Sequence, residues 1–276
     1  MPVPYPLADH RLAQRLERTE GDANRRFVEA RARAEPPSGA SWTEVDGTYV
    51  MFDGVESPLT QTFGLGISGP VTSTTFERIE RYFSDRGATT FHEVSPLADA
   101  STLPQLHARG YEAFEFSSVL FQPLPADPGL APESSVHVRQ TTPTEIDRWA
   151  QAAGEGWSEF PELEAFMRAF GRVVASSKGV LTYVGEIEGR IAATAAMVLH
   201  GGVALLAGAS TIPSARRQGA QAALLAARLR DAAARGCDVA MMVAQPGSAS
   251  QRNAERNGFR VAYTRLKWRR PAGGGG

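Results

Sequence analysis

The run Ile212-Pro213-Ser214-Ala215-Arg216-Arg217-Gln218-Gly219-Ala220-Gln221 is the segment whose residue types most directly suggest chemistry. It joins an apolar stretch, residues 203–210, to an amphipathic one, residues 217–235, where Leu225, Leu229 and Ala232 recur at i, i+4 and i+7. A helix starting there leaves its first four N–H groups without intrahelical partners, and its macrodipole adds about half a positive charge. Gly219 has no Cβ to hold an anion off the backbone, and Arg216 and Arg217 add full charges beside the same point. The chemistry suggested is phosphate binding. A tight turn into a helix, flanked by two solvated arginines, accounts for the same residues about as well.

A second glycine run, Gly64-Leu65-Gly66-Ile67-Ser68-Gly69, matches the G-x-G-x-x-G of dinucleotide sites, with Glu93 placed where a ribose-binding acid would fall. Against it, Pro70 follows the last glycine, the next helix starts only near Thr74, and no second mononucleotide half is visible. A dinucleotide-dependent oxidoreductase is therefore the third-ranked function. The single Cys237 excludes an internal disulfide and a zinc cluster, and reads as a small buried apolar residue. The five histidines have no metal-ligand spacing, so no metal is expected. No G-x-S-x-G elbow supports a hydrolase. Candidate general bases lie in Gly154-Glu155-Gly156-Trp157-Ser158-Glu159-Phe160-Pro161-Glu162, where acidic and aromatic side chains would suit a cationic amine. A solvated loop with a core Trp is the simpler account of any one of these glutamates.

These residues are carried by 276 residues, 42% apolar and 21% charged, enough for a sizeable core and about two domains. Lys and Arg number 29 against 30 Asp and Glu, a net charge of -1, so no nucleic-acid partner is expected. The first twenty residues hold Asp9, His10, Arg11, Arg15, Glu17 and Arg18 and no apolar signal region, which makes a cytoplasmic location the expectation. Residues 191–210 contain no charged side chain and are long enough to span a bilayer. Ala and Gly dominate them, however, with His200-Gly201-Gly202 at the centre, so two strands joined by a tight glycine turn fit better. No membrane partner is expected.

Proline and glycine punctuate the chain. Residues 1–35 read as an N-terminal helical segment, with Leu7, Leu12, Leu16, Phe27 and Val28 among Arg and Glu, closed by Pro36-Pro37-Ser38-Gly39. Pro123, Pro125, Pro128 and Pro132 mark a linker over 125–134 between a lobe at 36–124 and another at 135–270, and a glycine tail fills 271–276. The lobes share a weak repeat. In the first, a helix ends at Arg86-Gly87, a strand follows at 89–94, another helix ends at Arg109-Gly110-Tyr111, and a strand closes at 114–122. In the second, a helix ends at Arg235-Gly236, a strand follows at 238–243, another helix ends at Asn257-Gly258-Phe259, and a strand closes at 260–268. The paired glycines lie 23 and 22 residues apart, which favours duplication over coincidence. Earlier in the second lobe come a strand at 136–139, a helix opened by Thr142-Pro143-Thr144-Glu145, a helix at 162–176, and strands at 180–186, 190–199 and 203–210.

That order, together with the glycine loop, resembles the GCN5-related N-acetyltransferase (GNAT) family, whose acyl-CoA loop reads Arg/Gln-x-x-Gly-x-Gly/Ala. Arg216 and Gly219 match it, Pro213 stands three residues upstream, and the sixth position departs as Gln221. The resemblance covers about 136–268, and the first lobe resembles the same fold more weakly, without the Arg-x-x-Gly signature. The implied fold is α/β (α+β): two GNAT-like lobes, each a mixed, mostly antiparallel sheet flanked by helices, the first degenerate.

The function implied is an N-acyltransferase that moves an acetyl group from acetyl-CoA, as co-substrate, to an amine of a small molecule. By the resemblance, the pyrophosphate would rest on the N–H groups of Arg217, Gln218, Gly219, Ala220, Gln221 and Ala222 beside Arg216. The pantetheine arm would pair with the strand end Ala209, Ser210 and Thr211, where an N–H near Ala209 would polarise the thioester carbonyl. Asn253 would touch the same cofactor. The strand 203–208 lacks the carboxylate that many members place there, and Ala254 stands where the usual tyrosine proton donor would be. Glu155, Glu159 and Ser250 remain as catalytic candidates. The first lobe would shape the acceptor cleft or a subunit contact in a homodimer. A non-catalytic acyl-CoA sensor or interaction module is the alternative, since a fold does not guarantee chemistry.

Overall fold

The protein is seen in a computed structural model that describes residues 4–125 and 135–271. Apart from Pro125 and Pro271, the linker expected at 125–134 and the tail expected at 271–276 lie outside the described residues. In chain order the first elements are α1 (His10–Ala34), β1 (Ser41–Val45), β2 (Thr48–Phe52), β3 (Thr62–Phe63), α2 (Ser73–Ser84), β4 (Phe91–Val94), α3 (Thr102–Ala108) and β5 (Glu112–Pro123). Then come β6 (His137–Gln140), α4 (Ile146–Glu155), α5 (Pro161–Ser176), β7 (Val180–Ile187), β8 (Arg190–His200) and β9 (Val203–Thr211). The chain ends with α6 (Ala220–Ala234), β10 (Val239–Ala244), α7 (Ala249–Arg256) and β11 (Arg260–Arg269). It divides into two compact units whose boundaries are not the linear ones read from the proline runs. An inserted unit takes Gln122–Met242 together with Pro4 and Tyr5 from the start of the chain, and a flanking unit takes Pro6–Phe121 and resumes at Val243.

The flanking unit includes the N-terminal helix and the last strand. Its strands follow the order β1-β2-β3-β4-β11-β5. The β1–β2 hairpin turns through Asp46 and Gly47, both at positive φ (50° and 79°), the geometry whose twist suits a two-residue hairpin. Strand β11 runs antiparallel between β4 and β5, which explains its assignment to this unit. Along β2, alternate side chains serve two cores. Tyr49 and Met51 pack with Val28 of α1 and Phe63, while Val50 joins Phe76, Ile79 and Phe83 of α2 and Leu106 of α3. The contact with α1 is close. A Cβ at Gly21 would lie 2.3 Å from Tyr49 Cδ2.

Strand β11 also buries a charge. Arg265 is fully buried, with Nη1 at 2.6 Å from Glu20 Oε2 and 3.3 Å from Glu17 Oε2, and Nη2 at 3.0 Å from Glu93 Oε1. Tyr263 donates to Glu17 Oε1 at 2.8 Å, and Ser117 donates to Glu93 Oε1. Three carboxylates therefore surround one guanidinium, and burial pushes the Glu17 carboxyl up to about 7 against the attraction of Arg265.

The inserted unit orders its strands β10-β9-β8-β7-β6, antiparallel except for the β9–β10 pair. Residues 191–210, the stretch long enough for a membrane span, form the β8–β9 hairpin, turned through Gly201 and Gly202 at positive φ. Among the described residues no helix is long and apolar enough to cross a membrane. Successive residues of β7 again face opposite sides: Val184 packs with Trp149 and Ala153 of α4, while a Cβ on Gly185 would meet Leu224 of α6. Trp149 is buried and donates its indole N–H to Tyr183 O at 3.0 Å. The fold class is thus mixed α/β, with mostly antiparallel sheets flanked by helices.

Two tests follow from the flanking unit. Alanine is the better helix former by about 1 kcal/mol, but at position 21 it must displace the Tyr49 ring, an overpacking cost of about 1–3 kcal/mol. Gly21→Ala is therefore expected to lower the melting temperature, read by circular dichroism. Glu17 holds a proton in the folded state that it gives up in the unfolded chain between its ordinary 4.5 and about 7. Its stabilising contribution is complete below the lower value and is lost as pH rises through the higher one. The urea midpoint should fall between about pH 5 and about pH 8, and Glu17→Gln should flatten that slope.

Candidate acyl-CoA site

The end of β9 is reshaped before it reaches the loop. Ala207 of β9 opposes Ala196 of β8 and Ser210 opposes Thr194, so Gly208 and Ala209 both face Ala195 without a register partner of their own. Gly208 takes φ +60°, as a bulge of this kind requires. On the other edge, β9 pairs with β10 only over Val203–Leu205 with Val239–Met241 and runs on to Thr211 without that partner. Ala207, Gly208 and Ala209 are exposed there. An extended ligand can add to such an edge as a strand does.

The buried Arg228 of α6 braces the bulge. Its Nη1 donates to Ala196 O at 3.0 Å and Ala207 O at 3.4 Å, and its Nε to Leu224 O at 3.3 Å. Burial lowers this guanidinium to about 10. Sequence reasoning passed over Arg228, although a charge inside the apolar stripe of Leu224, Leu225, Leu229 and Ala232 was a signal that it had a buried task.

The loop then turns onto α6. Pro213–Ala215 form one 3₁₀ turn, Arg217 and Gly219 adopt positive φ (63° and 82°), and the helix starts at Ala220 rather than at 217 because those two conformations are not helical. No side chain caps it: the first helical bond is Ala223 N–H to Gly219 O at 3.0 Å. The N–H groups of Gly219, Ala220, Gln221 and Ala222 therefore head an uncapped, positively polarised helix end. Gln221, the departure from the family loop, bends away and donates to Thr211 Oγ1 at 2.6 Å. Gln218 folds back onto Ser214 O at 3.2 Å.

The C-terminal end of α4 abuts the same strand end. Ser210 donates to Ala153 O at 3.0 Å, and a Cβ on Gly156 would sit 1.8 Å from Ser210 Oγ, so only glycine permits the approach. The chain from α4 to α5 is thereby held against residues 210–216. Arg216 Nη1 pairs with Glu159 Oε2 at 2.6 Å and its Nη2 donates to Gly156 O at 3.1 Å. The residue expected to meet the anion thus clamps the segment expected to roof the acceptor. Glu155 is half-buried and accepts from Gln151 at 2.9 Å. Trp157 is not a core residue; with Phe160, Leu163 and Phe166 it is among the exposed large apolar side chains. Ser250 and Asn253 lie exposed on α7, in the flanking unit.

The other glycine run behaves differently. In Gly64–Gly69, a Cβ on Gly66 would fall 2.2 Å from Thr102 Oγ1, so its open side is already filled. The N-terminus of α2 is closed by a capping box between Thr72 and Thr75, and Thr75 donates to Asp46 at 2.7 Å. Glu93 is spent on Arg265 and Ser117. A dinucleotide phosphate has no free helix end there.

Comparison with known proteins agrees with this geometry. The acetyltransferase (GNAT) domain family matches residues 135–246. No curated protein matches the sequence. Among solved structures, a GCN5-related N-acetyltransferase from Kribbella flavida is 20% identical with a TM-score of 0.61, covering 90% of this chain and 95% of that one. One from Sphaerobacter thermophilus is 20% identical with a TM-score of 0.53, covering 76% and 72%. A tandem GNAT protein from the clavulanic acid biosynthesis pathway is 13% identical with a TM-score of 0.57, covering 83% and 79%. The fold is that of the GCN5-related N-acetyltransferases.

Replacing Gln221 by Glu separates helix stability from anion binding. A carboxylate in the first turn favours the helix by about 0.3–1 kcal/mol, while it repels a phosphate at the same N–H groups. Gln221→Glu should leave the melting temperature unchanged or raised and weaken CoA binding at least about tenfold, measured by calorimetry.

Proposed function

We propose that this chain is an acyl-CoA-dependent N-acetyltransferase that acetylates an amine of a small molecule, in a tandem arrangement whose flanking unit is a degenerate copy. The observation that carries the reading is the uncapped head of α6, reached through Gly219 at positive φ, directly beyond the open edge of β9. The N–H groups of Gly219–Ala222 would hold the diphosphate of acetyl-CoA, and the edge at Ala209–Thr211 would hold its pantetheine amides. The bound group supplies an activated acyl thioester. Around it, the protein has to align the amine and provide a donor where negative charge develops, and the backbone near Ala209 is suited to that task. Arg216 acts here as a brace, because its guanidinium is shared between Glu159 and Gly156.

Glu159 and Glu155 are the carboxylates on the segment held against the strand end, and either would accept the amine proton directly or through water. A second reading, an acyl-CoA sensor without turnover, draws on the ion pair that ties up Glu159 and on Ala254 in the place of a tyrosine. Calorimetry with acetyl-CoA and a free-thiol assay over a panel of amines separate them. The enzyme reading expects stoichiometric binding and amine-dependent thiol release, which Glu159→Gln or Glu155→Gln lowers by about 10²-fold or more at saturating amine. Binding without release on any amine supports the sensor, and absence of binding ends both.

A further inference from the structure

The flanking unit contains a second place for a ligand. A cavity of about 300 Å³ opens within it, lined by Glu20 and Asn24 of α1, Gln61, Phe63 of β3, Glu93 of β4 and Lys267 of β11 among others. That volume is at the low end of small-molecule sites. Its wall is acidic. Glu20, Glu93 and Glu115 line it against Lys267 as the one cation of the lining, with Arg265, outside the lining, pairing with Glu20 and Glu93.

The acids are not fully used by the protein. Both contacts of Glu93, from Ser117 and Arg265, fall on Oε1, and Oε2 takes no hydrogen bond among the described residues although Glu93 is only 3% exposed. Gln61 is 7% exposed, lines the same cavity, and makes no side-chain hydrogen bond among the described residues. The Gln61 carboxamide and Glu93 Oε2 are open to the cavity rather than sealed in the core, so a ligand that enters it can meet both. Metal ions are poor candidates, since no group of three His, Cys, Asp or Glu among the described residues is gathered for one. An ammonium group answers the carboxylates, a hydroxyl answers the carboxamides of Gln61 and Asn24, and a short carbon chain can lie on Phe63.

We propose that this cavity binds a small hydroxylated organic ammonium ion, with its cationic end at Glu20 and Glu93 and its hydroxyl end at Gln61. The site belongs to the flanking unit alone and does not depend on the acyl-donor reading. Its test is calorimetry of the full chain with 4-amino-1-butanol, against the matched neutral 1,4-butanediol. The proposal expects one-to-one binding of the amino alcohol at least tenfold tighter than the diol. Glu20→Gln should remove that preference, and Gln61→Leu should weaken the amino alcohol severalfold while leaving the melting temperature near that of the parent. Lys267→Met, which removes the competing cation from the lining, should tighten it and so keeps the proposal testable should Glu20→Gln fail to fold. Equal affinity for the two probes, or amino-alcohol binding unchanged in both Gln61→Leu and Lys267→Met, overturns it.

Discussion

Backbone N–H groups at the head of a helix have no partner within it, and what meets them decides what that end of the molecule does. At α2 the protein meets them itself, Thr72 Oγ1 accepting from Thr75 N–H and Thr75 Oγ1 from Thr72 N–H. At α6 it does not, and the surroundings keep that end open. The bulge at Gly208 and Ala209 displaces the strand edge, Gly219 turns the chain without a side chain in the way, and Gln221 is drawn aside by Thr211. One feature of the helix end thus gives a common purpose to residues far apart in type and position.

Two buried arginines show how differently one charge can be accommodated. Arg265 is enclosed by carboxylates, so removing any one of them redistributes charge across β4, β11 and α1. Arg228 has only carbonyl oxygens, which stabilise a cation less than an ion does, and its lowered proton affinity reflects that. The first arrangement ties the last strand to the first helix, and the second fixes the shape of one irregular strand end. Their positions in the two units match the acidic cavity on one side and the open helix head on the other.

Much of this was legible in the sequence because it depends on local signals. Gly201-Gly202 marked a hairpin, Pro161 and Thr142 marked helix starts, and Gly219 between an apolar strand and an amphipathic helix marked the loop. The strands β1 to β3 were not read, because β2 is buried on both faces and shows no alternation, although Asp46-Gly47 carried the turn between β1 and β2. The ion pair of Arg216 with Glu159, and the assignment of α7 to the flanking unit, depend on contacts between residues distant in sequence. Residue type at either position could not supply them. The same holds for the division into units, because nothing local in residues 260–269 says that they pair with β4 and β5.

That pairing has a consequence for how the molecule comes into being. A polypeptide is made from its N-terminus, and domains generally fold as units in that order. Here the flanking unit cannot complete its sheet until β11 has been synthesised, whereas the inserted unit, apart from Pro4 and Tyr5 at the start of the chain, is one run that is complete once Met242 has left the ribosome. The order of maturation is therefore reversed relative to the order of translation, and α1 with the early strands must wait with their apolar faces uncovered. A message truncated after position 242 would spare the inserted unit and orphan the flanking one.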